Sequence, residues 1–424
     1  MAMTSFYTGP NRGRLDVASW DELVAAVQAG SLTETQWVEC KAAIPAAAAG
    51  ANLELAKDLA SLTVDGGVLV IGVSDKATAA EHVVGTDAPL EALKDRISSV
   101  AGQTRVQPAM HVVFGEPLQN PDGSGRYALL VVVPQSATAP HMVDNRYWGR
   151  SAVGKRPLGD AEVASLFAQR RLAADDFEAR LRKLSDELDP IPIADRLGIH
   201  VSVLVRPEVP AREDFLGLID DRNRLGQALH GARRNVAYKI NRSPNFLDLG
   251  RPYAHTDGPA LEAIFNSAPD LSDRYWMARA ETHNMRLLVG GDGALSVVSA
   301  RGSNPWEDGT NQIDFACIVE VVHQSAQLAG FLGEGHMEYQ GMWRIGVHVS
   351  GMVGALGHSN GAFASDRGQP FAGDEYLHIV TASTVDLWER PVTVVGHLLR
   401  NLARVSGFRG DTSPLMDPET TPLW

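Results

Sequence analysis

The chain has little sulfur chemistry to offer. Its 424 residues hold two cysteines, Cys40 and Cys317, too few for a disulfide framework or a four-thiolate zinc site. No run of about 18 or more apolar residues occurs, which predicts no membrane span. The opening Met-Ala-Met-Thr-Ser-Phe-Tyr lacks the basic-then-apolar order of a secretory signal. A reducing, cytoplasmic compartment is therefore the expectation. Positive charge is scarce as well: 38 Lys and Arg face 51 Asp and Glu, a net charge of −13. That excludes a protein that coats polyanions through bulk charge. Internal repeats are lacking, and the only low-complexity tract is Ala46–Ala49.

What is present is ordinary globular composition, 44% hydrophobic and 21% charged, over a length suited to two or three domains. The acidity is unevenly spread. Residues 1–172 carry 15 Lys and Arg against 18 Asp and Glu, so most of the negative charge lies beyond them. Between Arg146 and Arg171 the balance reverses, with Arg146, Arg150, Lys155, Arg156, Arg170 and Arg171 against Asp160 and Glu162. Charges act locally over about 8–10 Å in physiological salt. Such a patch suits phosphates, although a solvated surface of ordinary ion pairs would read the same way.

Periodicity and punctuation predict an α/β (α+β) fold. Ser19 and Glu22 form a capping box that opens a helix over Trp20–Ala29, stopped by Gly30. Residues 35–41 alternate as a strand. Asn52 opens a helix with an apolar stripe through Leu53, Ala56, Leu59 and Leu62, and Asp65-Gly66-Gly67 turns the chain. Val68–Val73 then reads as a buried central strand. A helix over Leu90–Ala101 and strands over Ala109–Phe114 and Tyr127–Val133 follow, the strands joined through Pro121–Gly125. Gly159–Leu188 is a long polar-rich helix, broken by Asp189-Pro190-Ile191-Pro192. The division is an N-terminal helical segment (1–30), a mixed-sheet domain (31–172), a helix and linker (173–190) and a C-terminal α+β domain (191–424). In the last, strands are predicted over His200–Arg206, Arg274–Ala280, Met285–Leu288, Ser296–Ser299, Trp343–Val349 and Tyr376–Ala382. Helices are predicted over Gln312–Phe331 and Val385–Val405.

Chemical specificity concentrates in two segments, Glu34-Thr-Gln-Trp-Val-Glu39-Cys-Lys41 and Gly66-Gly-Val-Leu-Val-Ile-Gly-Val-Ser-Asp75. Side chains two apart on a strand share a face, so Glu39 and Lys41 point the same way. Asp75 follows the carboxyl end of a central strand, where open α/β sheets place ligands. Carboxylates of this kind offer hard oxygen ligands to Mg²⁺ or Mn²⁺, and a lysine can stabilise phosphate charge. From spacing alone, Glu-x-Lys is as readily a solvated ion pair.

Further pieces follow in order: the Leu53–Leu62 helix, Leu129–Val133 with Pro134, Pro140-His141, Tyr147-Trp-Gly-Arg150-Ser151 and the helix containing Glu162-Val-Ala-Ser-Leu-Phe167. Together with the two segments, they make residues from about 30 to 172 resemble a Schlafen AlbA-type domain, found in bacterial proteins and animal Schlafens. The chain departs from that family's pattern in having Thr63-Val64-Asp65 before the double glycine, and in lacking the Cys/His zinc element of the animal proteins. The resemblance implies a mixed α/β fold. For nucleolytic members it also implies a divalent-metal ribonuclease centre acting on structured, tRNA-like RNA. Glu34, Glu39 and Asp75 take the catalytic and metal-binding positions, with Lys41 as catalytic lysine. Other members bind nucleic acid or ATP without catalysis.

Two functions are thus expected. The first is a metal-dependent endoribonuclease, by family analogy serving stress or phage defence. The second is a non-catalytic regulator that binds nucleic acid or ATP. In either, Arg146, Arg150, Lys155 and Arg156 are expected on backbone phosphates, with His141 and Trp148 as further nucleic-acid contacts. The C-terminal domain would regulate, form a homodimer or recognise a trigger; alternatively it is itself the enzyme or ligand sensor. Gly149–Lys155 imitates a P-loop, but Arg156-Pro157 denies it the Ser/Thr and the helix that a P-loop needs. ATP binding would then follow another route. Ile193–Ile199 imitates half of a helix-turn-helix, but the β-rich His200–Arg206 follows it.

Overall fold

The computed structural model describes residues 5–6, 8, 15–45, 49–75, 78–104, 108–136, 138–151, 154–188, 196–208, 222–235, 253–255, 258–263, 284–305, 310–336, 339, 341–357 and 370–406. The fold is α+β. The chain divides into two units, one of Met1–Ala173 with Gln340–Met342, the other of Ala174–Tyr339 with Trp343–Trp424.

In the first unit, β1 (Ser5–Phe6) pairs with β2 (Leu15–Asp16) ahead of α1 (Trp20–Gln28). The Ser19 hydroxyl accepts from the Glu22 amide at 3.3 Å, and the Glu22 carboxylate reaches back to the Ala18 amide at 2.7 Å. The helix therefore starts where the capping pattern predicts. Strand β3 (Val38–Lys41) is shorter than the alternation over 35–41 suggests. The Thr35 hydroxyl accepts from the Trp37 amide, and the Thr35 amide bonds the Val38 carbonyl, so a local turn takes the first residues. Helix α2 (Ala49–Leu62) begins ahead of Asn52 and carries the chain to β4 (Gly67–Ile71). Because β3 and β4 pair in parallel, a crossover such as α2 is required between them.

Helix α3 (Leu90–Ser99), which runs into a π-turn at Val100–Thr104, precedes β5 (Val113–Phe114), β6 (Leu118–Gln119) and β7 (Tyr127–Val133). The sheet order is β3-β4-β7-β5, and β6 also pairs with β7. The Pro121–Gly125 turn thus joins β7 to β6, not to the longer strand expected over Ala109–Phe114. Leu69, Ile71, Leu129 and Val131 pack on one face with Leu55 and Leu59 of α2 and Ile97 of α3. Val38, Cys40, Val68, Val70 and Leu130 pack on the other with Leu23 and Val27 of α1. Burial on both faces explains the unbroken apolar run of β4. Strands β8 (Met142–Val143), β9 (Arg146–Ser151) and β10 (Gly154–Pro157) form a separate meander. Helix α4 (Asp160–Leu188) runs as its sequence predicts.

The second unit contains β11 (His200–Pro207), α5 (Arg222–Asn235), β12 (Tyr253–His255), β13 (Gly258–Ala263), β14 (Met285–Val289), β15 (Leu295–Ser299), β16 (Ser303–Pro305) and β17 (Asn311–Ile313). It ends with α6 (Phe315–Gly335), β18 (Met342–Ser350), β19 (Glu375–Ser383), α7 (Thr384–Glu389) and α8 (Pro391–Val405). Its main sheet has the order β12-β13-β14-β15-β11-β18-β19. Val201, Val203 and Val205 of β11 join a large core with α6 and α8, while Leu204 faces Phe177, Leu181 and Leu184 of α4. The expected strand over Arg274–Ala280 lies outside the described residues. The expected single helix over Val385–Val405 is two helices, because Pro391 starts α8 after Arg390 leaves helical geometry. The sequence expectation missed α5, β12, β13, β16 and β17, the last taking Gln312 and Ile313 from the start of the helix expected over Gln312–Phe331. Among the described residues, α6 is long and apolar enough to cross a membrane, but 89% of its most apolar window is buried. It is a core helix, capped by the Asp314 carboxylate on the Cys317 amide.

The double glycine between α2 and β4 does two jobs. Gly66 adopts φ of 73°, the left-handed region. Gly67 lies so close to β3 that a Cβ would stand 2.3 Å from the Trp37 carbonyl oxygen and 2.8 Å from Leu62 Cδ2. Gly67→Ala is expected to destabilise the first unit by about 1–3 kcal/mol through overpacking, read as a lower midpoint in urea unfolding.

Candidate functional site

Glu39 and Lys41 project from edge strand β3 toward α2, on the face that carries Leu69 and Ile71 of the neighbouring strand. The Lys41 Nζ donates to Glu39 Oε1 at 2.7 Å and stands 3.0 Å from Asp58 Oδ2 of α2. Across the site, Arg150 of β9 and Lys155 of β10 are directly opposed partners in the strand register. That pairing puts both on one face of the hairpin. The Arg150 Nη2 meets Glu39 Oε2 at 2.7 Å, and its guanidinium also donates to the Thr35 and Val38 carbonyls. Lys155 donates to Asp58 Oδ1 at 2.5 Å and pairs with Glu54 at 2.9 Å. The result is an alternating chain of charge: Arg150, Glu39, Lys41, Asp58, Lys155, Glu54.

Burial sets the electrostatics. Asp58 is fully buried, and the Arg150 side chain is 1% exposed. Burial raises the Asp58 pKa, and the Glu39 charge adds to the rise against the pull of Lys41 and Lys155. Burial also opposes ionisation of Glu39, but the Lys41 hydrogen bond and the Arg150 guanidinium prevail and hold its pKa below the usual carboxylate range. Lys41 is raised: burial opposes its charge, and the Asp58 and Glu39 carboxylates outweigh that. Glu54 is held at about 2 by hydrogen bonds from Lys57 and Lys155. Glu34 accepts from the Cys40 amide at 3.2 Å, and burial, with the Glu39 charge, raises its pKa. The Cys40 thiol is pushed up to about 12 by burial, with Glu34 and Glu39 adding. It is no nucleophile at neutral pH.

The expected site residues separate into groups. Glu39, Lys41, Arg150 and Lys155 converge, with Glu34 at the margin. Asp75 lies exposed in the turn after β4 and forms no ion pair with this network. Arg150, expected on phosphates, is instead sealed inside against Glu39. Lys155 is half-buried and neutralised by Asp58 and Glu54. Arg156 forms a forked pair with Glu162, at 2.8 and 2.5 Å, on the surface. Arg146 is exposed at the start of β9. His141 is fully buried; its Nδ1 donates to the Pro108 carbonyl at 2.7 Å, and Nε2 accepts from the Ser136 hydroxyl at 2.9 Å. Burial lowers its pKa, so it is a neutral structural histidine in place of the expected nucleic-acid contact. The Trp148 indole donates to the Val143 carbonyl, and Lys57 lies 5.0 Å from its ring centroid. The Gly149–Lys155 segment pairs as strand and strand, not strand and helix, as its lack of P-loop chemistry requires.

A divalent metal fits this arrangement poorly. Both Glu39 oxygens are occupied by cations, and no group of three or more His, Cys, Asp or Glu among the described residues could hold a metal ion. The sequence reading missed Asp58, the most buried charge of the set. Its signal was positional: Asp58 lies three residues after Leu55 and four before Leu62, inside the apolar stripe of α2. A charge at a stripe position needs partners.

No protein-family model matches the chain, and no curated protein does. Among solved structures, the chain is similar to the DIP2311 protein from Corynebacterium diphtheriae, at 22% identity with a TM-score of 0.23. The match covers 34% of this chain and 31% of that one.

Removing Arg150 leaves Glu39 with one cation inside the fold. Arg150→Ala is expected to cost about 3–5 kcal/mol of stability, measured by denaturant unfolding, with Arg150→Lys recovering part of it. The depressed pKa of Glu39 means that its ionic contribution is complete above the unfolded value of about 4.3 and disappears as pH falls through the folded value. The stability gap between the parent and Glu39→Gln should therefore narrow as pH is lowered through about 4; a gap that does not change with pH contradicts the assignment.

Proposed function

We propose that the first unit is a Schlafen AlbA-type module that binds structured, tRNA-like RNA, working in a reducing cytoplasm. The supporting observation is convergence. Glu39, Lys41 and Arg150 belong to pieces of the family-like signature far apart in sequence, yet they meet at ion-pair distances. The network fixes the β9–β10 hairpin against β3 and so orients what that hairpin exposes. Arg146 is exposed at one end and takes part in no ion pair among the described residues, with Trp148 partly exposed on the same strand face and Tyr147 on the other. Exposed arginine with neighbouring aromatics suits a phosphate backbone and a stacked base. Both free thiols, Cys40 and Cys317, are buried, which agrees with a protein that carries no disulfide.

A second reading, phosphodiester hydrolysis with a divalent metal, is favoured by one feature. Glu34, in the loop before β3, lies close enough to Glu39 for the Glu39 charge to help raise its pKa. Hydrolysis would require Glu39 to leave Lys41 and Arg150, so binding is the reading that the geometry supports better.

Purified protein should bind total tRNA with a steep salt dependence, and Arg146→Ala should weaken binding across sequences while reducing the salt slope by about 1. Incubation of the same RNA with Mn²⁺ separates the two readings. Cleavage by the parent but not by Glu39→Ala would establish hydrolysis; binding without cleavage supports the module as proposed. A parent that neither binds nor cuts RNA contradicts both.

A further inference from the structure

The second unit holds a cleft of about 510 Å³ between α4 and the β14–β15 hairpin. This size suits a small molecule. On the α4 wall, Arg180, Lys183 and Glu187 follow one another at helical spacing, so they share one face. Opposite them lies the Gly290-Gly291-Asp292-Gly293 turn, and Leu288 and Ser296 complete the floor. The turn is preformed. The Gly290 amide donates to the Ala294 carbonyl at 2.7 Å, and the Ala294 amide donates to Asp292 Oδ1 at 3.1 Å. Arg180 donates to the other Asp292 oxygen at 2.7 Å, which fixes its guanidinium in the wall.

Three groups in this lining have polar capacity to spare. Among the described residues, Lys183 and Glu187 take part in no ion pair, although they lie four apart on one helix. Their order, cation before acid, is the weaker one for an internal pair. Ser296 is 1% exposed, and its hydroxyl has no hydrogen-bond partner. A buried hydroxyl left unsatisfied costs free energy unless a ligand or water meets it.

The sign of the charges narrows the ligand. Lys183 and Arg180 disfavour a simple cation, while Glu187 and Asp292 disfavour a polyanion. Unpaired charges of both signs on one wall fit a ligand that carries both. We infer that this cleft binds a small zwitterion of the amino-acid class, its carboxylate on Lys183 and its ammonium on Glu187. Arg180, held by Asp292, lines the cleft on the far side of Lys183 from Glu187, and Leu288 takes the apolar part of the ligand. This site is independent of the RNA reading, because every residue used lies within the second unit.

Titration calorimetry on the full chain tests it, with L-glutamine and L-lysine as zwitterionic probes and inorganic phosphate and putrescine as probes of single sign. The expected result is saturable binding of at least one amino acid and none of phosphate or putrescine. Lys183→Ala and Glu187→Gln, both at exposed positions, should each weaken that binding about tenfold or more without changing the unfolding midpoint. Binding of phosphate or putrescine in preference to the amino acids, no binding of any probe, or amino-acid binding unaffected by both substitutions would overturn the proposal.

Discussion

The first unit depends on one buried ion pair, Glu39 with Arg150. Arg150 gives its guanidinium to a carboxylate and to two β3-side carbonyls at once, so a single side chain ties the β9–β10 hairpin to the edge of the main sheet. An edge strand normally leaves a row of unpaired backbone groups open to other chains. Here the arginine covers part of that row. The pair is enclosed, so it is sensitive to loss of either partner, whereas the Arg156–Glu162 fork on the surface contributes little.

Asp58 extends the same logic inward. A fully buried carboxylate is costly unless it is paired, and Asp58 has lysines from two directions, Lys41 from the sheet and Lys155 from the hairpin. Sheet, helix and hairpin are therefore cross-linked by alternating charge. Two of the six cations that could serve phosphate binding, Arg150 and Lys155, are spent internally, and Arg156 is paired with Glu162 at the surface. What remains toward solvent, Arg146, Arg171 and the half-buried Arg170 over the Phe167 ring, is narrower than the six cations that the sequence counts.

Much of this was legible in advance for physical reasons. Ser19 with Glu22, the β-branched run of β4 and the double glycine each have a local cause, so α1, β4 and the turn between α2 and β4 follow from sequence. The shared face of Glu39 and Lys41 follows from strand periodicity. Partners of the charges were not legible. Arg150 and Lys155 looked like solvent-facing phosphate ligands because a charge count does not say which face of a hairpin turns inward. His141 looked functional because a Pro-His step does not reveal the Pro108 carbonyl and Ser136 hydroxyl that enclose it. The two-helix end of the second unit turned on one proline, Pro391, inside an otherwise continuous apolar pattern.

We propose that the solvent-facing edge of the β9–β10 hairpin around Arg146, held in place by the buried Glu39 network, is the RNA-facing surface of the first unit. Amide hydrogen exchange of the full chain, with and without bound tRNA, tests it most directly. Protection that rises in β3, in α2 around Asp58 and in β9–β10, with little change in β14–β15, is the predicted result. Protection confined to the second unit, or unchanged exchange across β9–β10 at saturating RNA, would contradict it.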